Sequence, residues 1–149
     1  MKFTEALVDG KGSERIVLHI IKKKYSSAFI RDGYIKEYDI AIPEIDKTIE
    51  VKKDFKSQET GNIVIETSMN GQRSGLSTTQ ADWWVFHPEP TELIWITPSI
   101  IKDLIDIENY TEVEFTGSGD KASKTAYLIL KEHLVLYSSK KQDISNYIA

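Results

Sequence analysis

Tyr38-Asp39-Ile40-Ala41-Ile42, a short turn, and Thr48-Ile49-Glu50-Val51-Lys52 decide how this chain is read. Both segments carry the alternation of a strand, and the turn between them makes a β-hairpin. Side chains alternate between the faces of a strand, so a one-residue slip would move each of them to the opposite side. With Asp39 set against Glu50, residues Tyr38, Ile40, Ile42, Ile49 and Val51 share one face. Asp39, Ala41, Thr48, Glu50 and Lys52 then share the other. The slipped register would put Asp39 among the isoleucines, where an unpaired carboxylate is costly to bury. The first register is therefore expected, and it gathers two carboxylates and a lysine. Such a group offers the oxygen ligands that a hard divalent cation takes, and a cation held there can activate water.

Working outward, 149 residues with 40% hydrophobic and 28% charged content fit one soluble globular domain, expected to span 1–149. The absence of cysteine excludes disulfides and thiolate metal sites and suits an intracellular, cytoplasmic protein. The N-terminal residues lack the basic-then-apolar layout of a signal peptide, and no apolar run is long enough to span a bilayer, so no membrane partner is expected. A net charge of −4 argues against nucleic acid, but it averages over an asymmetry. Residues 11–53 carry ten Lys or Arg against seven Asp or Glu, a balance of +3, while residues 54–149 carry −6. The basic surplus surrounds the hairpin.

Ahead of the hairpin, Ser13 as N-cap, Glu14, an apolar series at Ile16, Val17, Ile20 and Ile21, and Lys22-Lys23-Lys24 predict an amphipathic helix. Behind it, Lys56 to Gly61 reads as a polar loop, Asn62 to Thr67 as a third strand, and Met69 to Gly75 as a mobile, glycine-punctuated stretch. Ser77-Thr78-Thr79-Gln80 has capping-box spacing for a short helix. Strands are expected at Asp82–His87 and Leu93–Thr97, with a helix opening at Pro98-Ser99. Strands near 112–116 and 127–130 and a C-terminal helix or tail form an expected appendage. The order predicts an α/β or α+β layer, with helices covering a mixed sheet.

Helix, hairpin with Asp39 on one arm and Glu50-Val51-Lys52 on the other, third strand, helix and further strand resemble the core of the PD-(D/E)XK nuclease superfamily over about residues 12–106. The match is nearest to its small phage-type endonucleases and Holliday-junction resolvase-like members, which carry an acidic residue on the first helix, where Glu14 stands here. The proline that precedes the aspartate in the superfamily is replaced by Tyr38. The resemblance implies an α/β, restriction-endonuclease-like fold and a metal-dependent DNA endonuclease, with structure-specific cutting of junctions as one form of the activity. It implies that Asp39, Glu50 and the main-chain carbonyl of Val51 hold Mg²⁺ or Mn²⁺, that Lys52 orients water or steadies charge on phosphorus, and that Glu14 supports them. A phage-encoded origin and a homodimer or higher homo-oligomer are expected as well, since one such site cuts one strand.

Arg73, in the glycine-punctuated stretch, and Lys53 and Lys56, after the motif, are candidate phosphate contacts, with solvated surface charge as the alternative. Glu66 reads as a solvated strand-end glutamate, and Trp83, Trp84, Phe86 and Trp95 as core. His19, His87 and His133 show no ligand spacing, which argues against zinc. The rival readings are a noncatalytic nuclease-like domain that binds nucleic acid or a protein partner, and a structural or regulatory module with surface hairpin charges.

Overall fold

A computed structural model describes residues 2–4, 10–33, 37–116 and 122–149. Helix α1 (Gly10–Lys22) buries the apolar stripe Ile16, Val17 and Ile21. A two-residue strand β1 (Phe29–Ile30) precedes the hairpin of β2 (Ile40–Ile42) and β3 (Lys47–Lys53), which turns through a 3-10 segment at Pro43–Ile45. The hairpin is antiparallel and pairs Ile40 with Ile49 and Ala41 with Thr48, the register expected from alternation.

The chain then leaves this sheet through a one-turn helix α2 (Ser57–Thr60), β4 (Asn62–Met69), β5 (Gln72–Arg73) and a 3-10 turn at Gly75–Ser77. It returns as β6 (Trp83–Glu89), parallel to β3 with Val51 against Val85. A parallel neighbour requires such an excursion. Strand β7 (Glu92–Ile96), helix α3 (Pro98–Glu108), β8 (Glu112–Thr116), β9 (Ser123–Leu130), α4 (Lys131–Tyr137) and β10 (Lys140–Asp143) complete the order. The strands form a six-stranded mixed sheet, β1-β2-β3-β6-β7-β10, and a four-stranded antiparallel sheet, β5-β4-β9-β8. The class is α/β.

Two apolar clusters lie on opposite faces of the larger sheet. Ile40, Ile42, Ile49, Val51 and Val85 meet Ile16, Val17 and Ile21 of α1 on one face. On the other, Trp84, Phe86, Ile94 and Ile96 meet Ile63, Ile65 and Ile129 of the smaller sheet and Ile101 and Leu104 of α3. Each fully buried side chain of this size contributes about 1.5–3 kcal/mol relative to exposure. Helix α3 begins as expected, with Pro98 in its first turn and Thr97 Oγ1 accepting from the Ile100 N–H.

Several expectations are corrected. Ser13 is not an N-cap: α1 starts at Gly10, and Ser13 is buried within it, hydrogen-bonded to His87 Nδ1 at 2.7 Å. The Ser77 capping box forms no helix, because a 3-10 turn ends there. The Met69–Gly75 stretch is a hairpin turning on Asn70 and Gly71, both at positive φ (51 and 77), the pairing that a two-residue turn between twisted strands demands. The third strand joins the smaller sheet instead of extending the first. Tyr38 packs with the Trp84 cluster, away from the isoleucines, and the Arg31 guanidinium lies 5.1 Å from its ring centre. The C-terminal third is integral: β9 is the central partner of β4, β10 extends the larger sheet beside β7, and Ile144 and Ile148 are buried under α1's cluster.

Candidate active site

Asp39 lies one residue before β2, where its backbone and side chain bind the neighbouring strand separately. Its N–H donates to the Ile49 carbonyl at 2.9 Å, and its Oδ2 accepts from the Val51 N–H at 2.7 Å. The two bonds bracket Glu50, so the Asp39 carboxyl is fixed beside it. Asp39 is 4% exposed. Lys52 Nζ stands 3.5 Å from Glu50 Oε1 and 5.3 Å from the Trp84 ring centre. Alternation along β3 sends Glu50 and Lys52 to the Trp84 side, while Ile49 and Val51 go under α1.

This setting alters Glu50. Burial raises its pKa from 4.5 to about 7; the Lys52 ammonium opposes the rise, and the Asp39 carboxyl, hydrogen-bonded to it, adds to it. A second carboxyl, Asp54, is also raised by burial, with opposition from the Val64 and Ser57 N–H groups.

Glu50 and Lys52 open into a cavity of about 270 Å³, walled by Trp84 and by Gly75, Thr78 and Thr79 from the loop ahead of β6. Thr79 Oγ1 accepts from Trp84 Nε1 at 3.0 Å, which holds the indole against that wall. A second cavity of about 290 Å³ shares Lys52 and Trp84 and reaches Asp54, Glu66 and Lys124. Glu66 is not merely solvated, since its carboxylate accepts from Ser74 Oγ at 2.7 Å and lies 3.7 Å from Lys124 Nζ. Gly75 belongs here for a steric reason: a Cβ on it would lie 2.2 Å from the Glu66 carbonyl oxygen, and its φ is +53.

Asp39, Glu50, Val51 and Lys52 thus come together. Glu14 is buried beside Ser13 on α1, the helix that covers the opposite face. Among the described residues, no three His, Asp or Glu side chains converge closely enough to hold an ion. Arg73 sits on β5, where its guanidinium donates to the Ser77 carbonyl at 2.8 Å. Lys53 Nζ stands 4.5 Å from the Phe55 ring centre, and Lys56 is exposed at the entry to α2. The Thr78-Thr79 wall had no signal in the sequence beyond a capping pattern that the fold does not use.

Among the described residues, no helix is long and apolar enough to cross a membrane. No protein-family model matches this chain, nor does any curated protein or solved structure.

Proposed function

We propose that this protein is a metal-dependent endonuclease that hydrolyses phosphodiester bonds of DNA at Asp39, Glu50 and Lys52, on a restriction-endonuclease-like core of α1, the β2–β3 hairpin and the parallel strand β6. The observation that carries the reading is the fixed Asp39–Glu50 pair with Lys52 at 3.5 Å. Two adjacent carboxyls, one of them pushed to about 7, are an arrangement that a divalent cation relieves, and two carboxylates suit Mg²⁺ or Mn²⁺ better than a soft metal.

Asp39, Glu50 and the Val51 carbonyl would hold that ion, which supplies Lewis acidity and a more acidic water. The chain's own groups do the rest. The Val51 N–H fixes the Asp39 carboxylate beside Glu50, so the two carboxyls are already positioned together. Lys52, half-exposed at the cavity mouth, stabilises charge on the phosphate oxygens; positioning and charge stabilisation do most of the work in phosphoryl chemistry. Glu14, on the helix that covers the opposite face, is left out of the catalytic set, and Lys53, Lys56 and Arg73 contact backbone phosphates. Cutting both strands uses two copies of the site, so the active form is a homodimer or larger. The protein acts inside the cell.

The test is incubation with labelled linear, nicked, single-stranded and four-way-junction DNA in Mg²⁺, Mn²⁺ or EDTA, beside Lys52→Ala. Metal-dependent cutting that falls at least about 100-fold in the variant supports the reading. Binding without cutting under every metal favours a noncatalytic nucleic-acid-binding domain, and equal cutting by the variant rejects the assignment of Lys52.

A further inference from the structure

On the α1 face of the larger sheet lies a cavity of about 380 Å³, distinct from the carboxylate site. Its floor is Ile42 and Ile49 with the Trp83 and Trp95 rings, and the C-terminal end of α1 covers it with Ile20 and Ile21. Tyr25 closes one side, and Ile45, 41% exposed, forms the lip. The volume lies within the range of about 300–1,000 Å³ usual for small-molecule sites.

Charge around this apolar space is one-sided. Lys24, Lys47 and Lys140 line it, and no Asp or Glu does. Two of the ammonium groups are held at aromatic faces: Lys140 Nζ is 5.2 Å from the Trp95 ring centre, and Lys24 Nζ is 5.3 Å from that of Tyr25. Trp95 Nε1 is already satisfied by Gln142 Oε1 at 3.0 Å, so the indole N–H asks nothing of a ligand. In a protein with net charge −4, three lysines around an apolar floor select a ligand with a hydrocarbon or aromatic body and an anionic group. The polar side chains of the lining are Tyr25, Ser139 and the three lysines, with no amide or carboxylate, a set that matches an anionic group better than the mixed donor and acceptor edge of a nucleobase.

We infer that this cavity is a binding site for a small amphiphilic carboxylate, its apolar body on Trp83 and Trp95 and its carboxylate among Lys24, Lys47 and Lys140. The site is independent of the nuclease reading.

The test uses the full chain and tryptophan fluorescence, titrated with decanoate below its aggregation concentration, and with decanol and decyltrimethylammonium as matched probes. Saturable one-to-one binding of decanoate is expected, at least about tenfold tighter than decanol, with no binding of the cation. A Lys24→Gln/Lys47→Gln/Lys140→Gln variant loses that preference, and Lys52→Ala retains it. Equal affinity for decanoate and decanol, absence of saturation, or an unchanged preference in the triple variant overturns the proposal. If the triple variant fails to fold, the wild-type comparison of decanoate with decanol decides.

Discussion

Glu50 links the chemistry of the site to the stability of the fold. Because its carboxyl ionises near pH 7 in the folded protein against an ordinary 4.5, the native state holds more protons than the unfolded state between these values. Stability contributed by this group is therefore present at low pH and is lost as pH rises through about 7. Glu50→Gln is expected to flatten that dependence and to stabilise the protein at pH 8 by on the order of 1–3 kcal/mol, read from denaturant midpoints at pH 5 and pH 8. A variant with an unchanged pH slope would show that the paired carboxyls do not store this energy. On the proposed function, Mg²⁺ raises the melting temperature of the wild type at pH 8 and leaves Glu50→Gln unmoved. Gly75→Ala is expected to cost about 2–4 kcal/mol, since it combines a clash against the Glu66 carbonyl with an unfavourable positive φ. Its measure is the urea midpoint, and wild-type stability would refute the close approach. The stretch was legible only as glycine-punctuated; the close approach of the Glu66 carbonyl to Gly75 was not, because it is set by how the chain folds back on β4. The Glu50 shift was not legible, because it depends on burial by Trp84 and the Thr78-Thr79 loop.

At the scale of elements, the hairpin register could be read directly because apolar alternation on both arms permits one alignment. What neighbours the hairpin could not. The parallel pairing of β3 with β6 is set by residues thirty and more positions apart, and Val-Ile-rich segments carry no mark of the sheet they will join. Helix α1 illustrates a different failure. Ser13 looks like a cap because serine favours caps, but here its hydroxyl serves His87, whose Nε2 bonds the Pro90 carbonyl and which burial keeps below its usual pKa. With Nε2 donating to Pro90, Nδ1 accepts from Ser13. Ser13→Ala leaves that buried nitrogen without its donor and is expected to destabilise by about 1–3 kcal/mol, checked by thermal melting. Ser13→Thr, which keeps the hydroxyl, is the comparison; equal loss in both would assign the effect to packing.

For the whole molecule, the two sheets are joined by an ion pair as well as by the apolar core. Lys131, at the junction of β9 and α4, reaches Glu92 at 3.2 Å and Glu89 at 3.7 Å on the other sheet, and Glu92 is 8% exposed. Lys131→Ala strands a buried carboxylate and is expected to cost about 2–4 kcal/mol, whereas the double variant with Glu92→Gln recovers part of that loss. A chemical-denaturation cycle measures the coupling, and additive losses would remove the clamp. The outer strands of the larger sheet carry a further consequence. One is two residues long, and the other reads Lys140-Lys141-Gln142-Asp143. Unpaired strand backbones template aggregation, and shortness and charge are the usual defences. Any dimer of this protein should therefore form through side-chain surfaces and not by one continuous intermolecular ribbon, and exchanging Lys140 and Lys141 for threonine should turn a dispersed solution into one that scatters light as concentration rises.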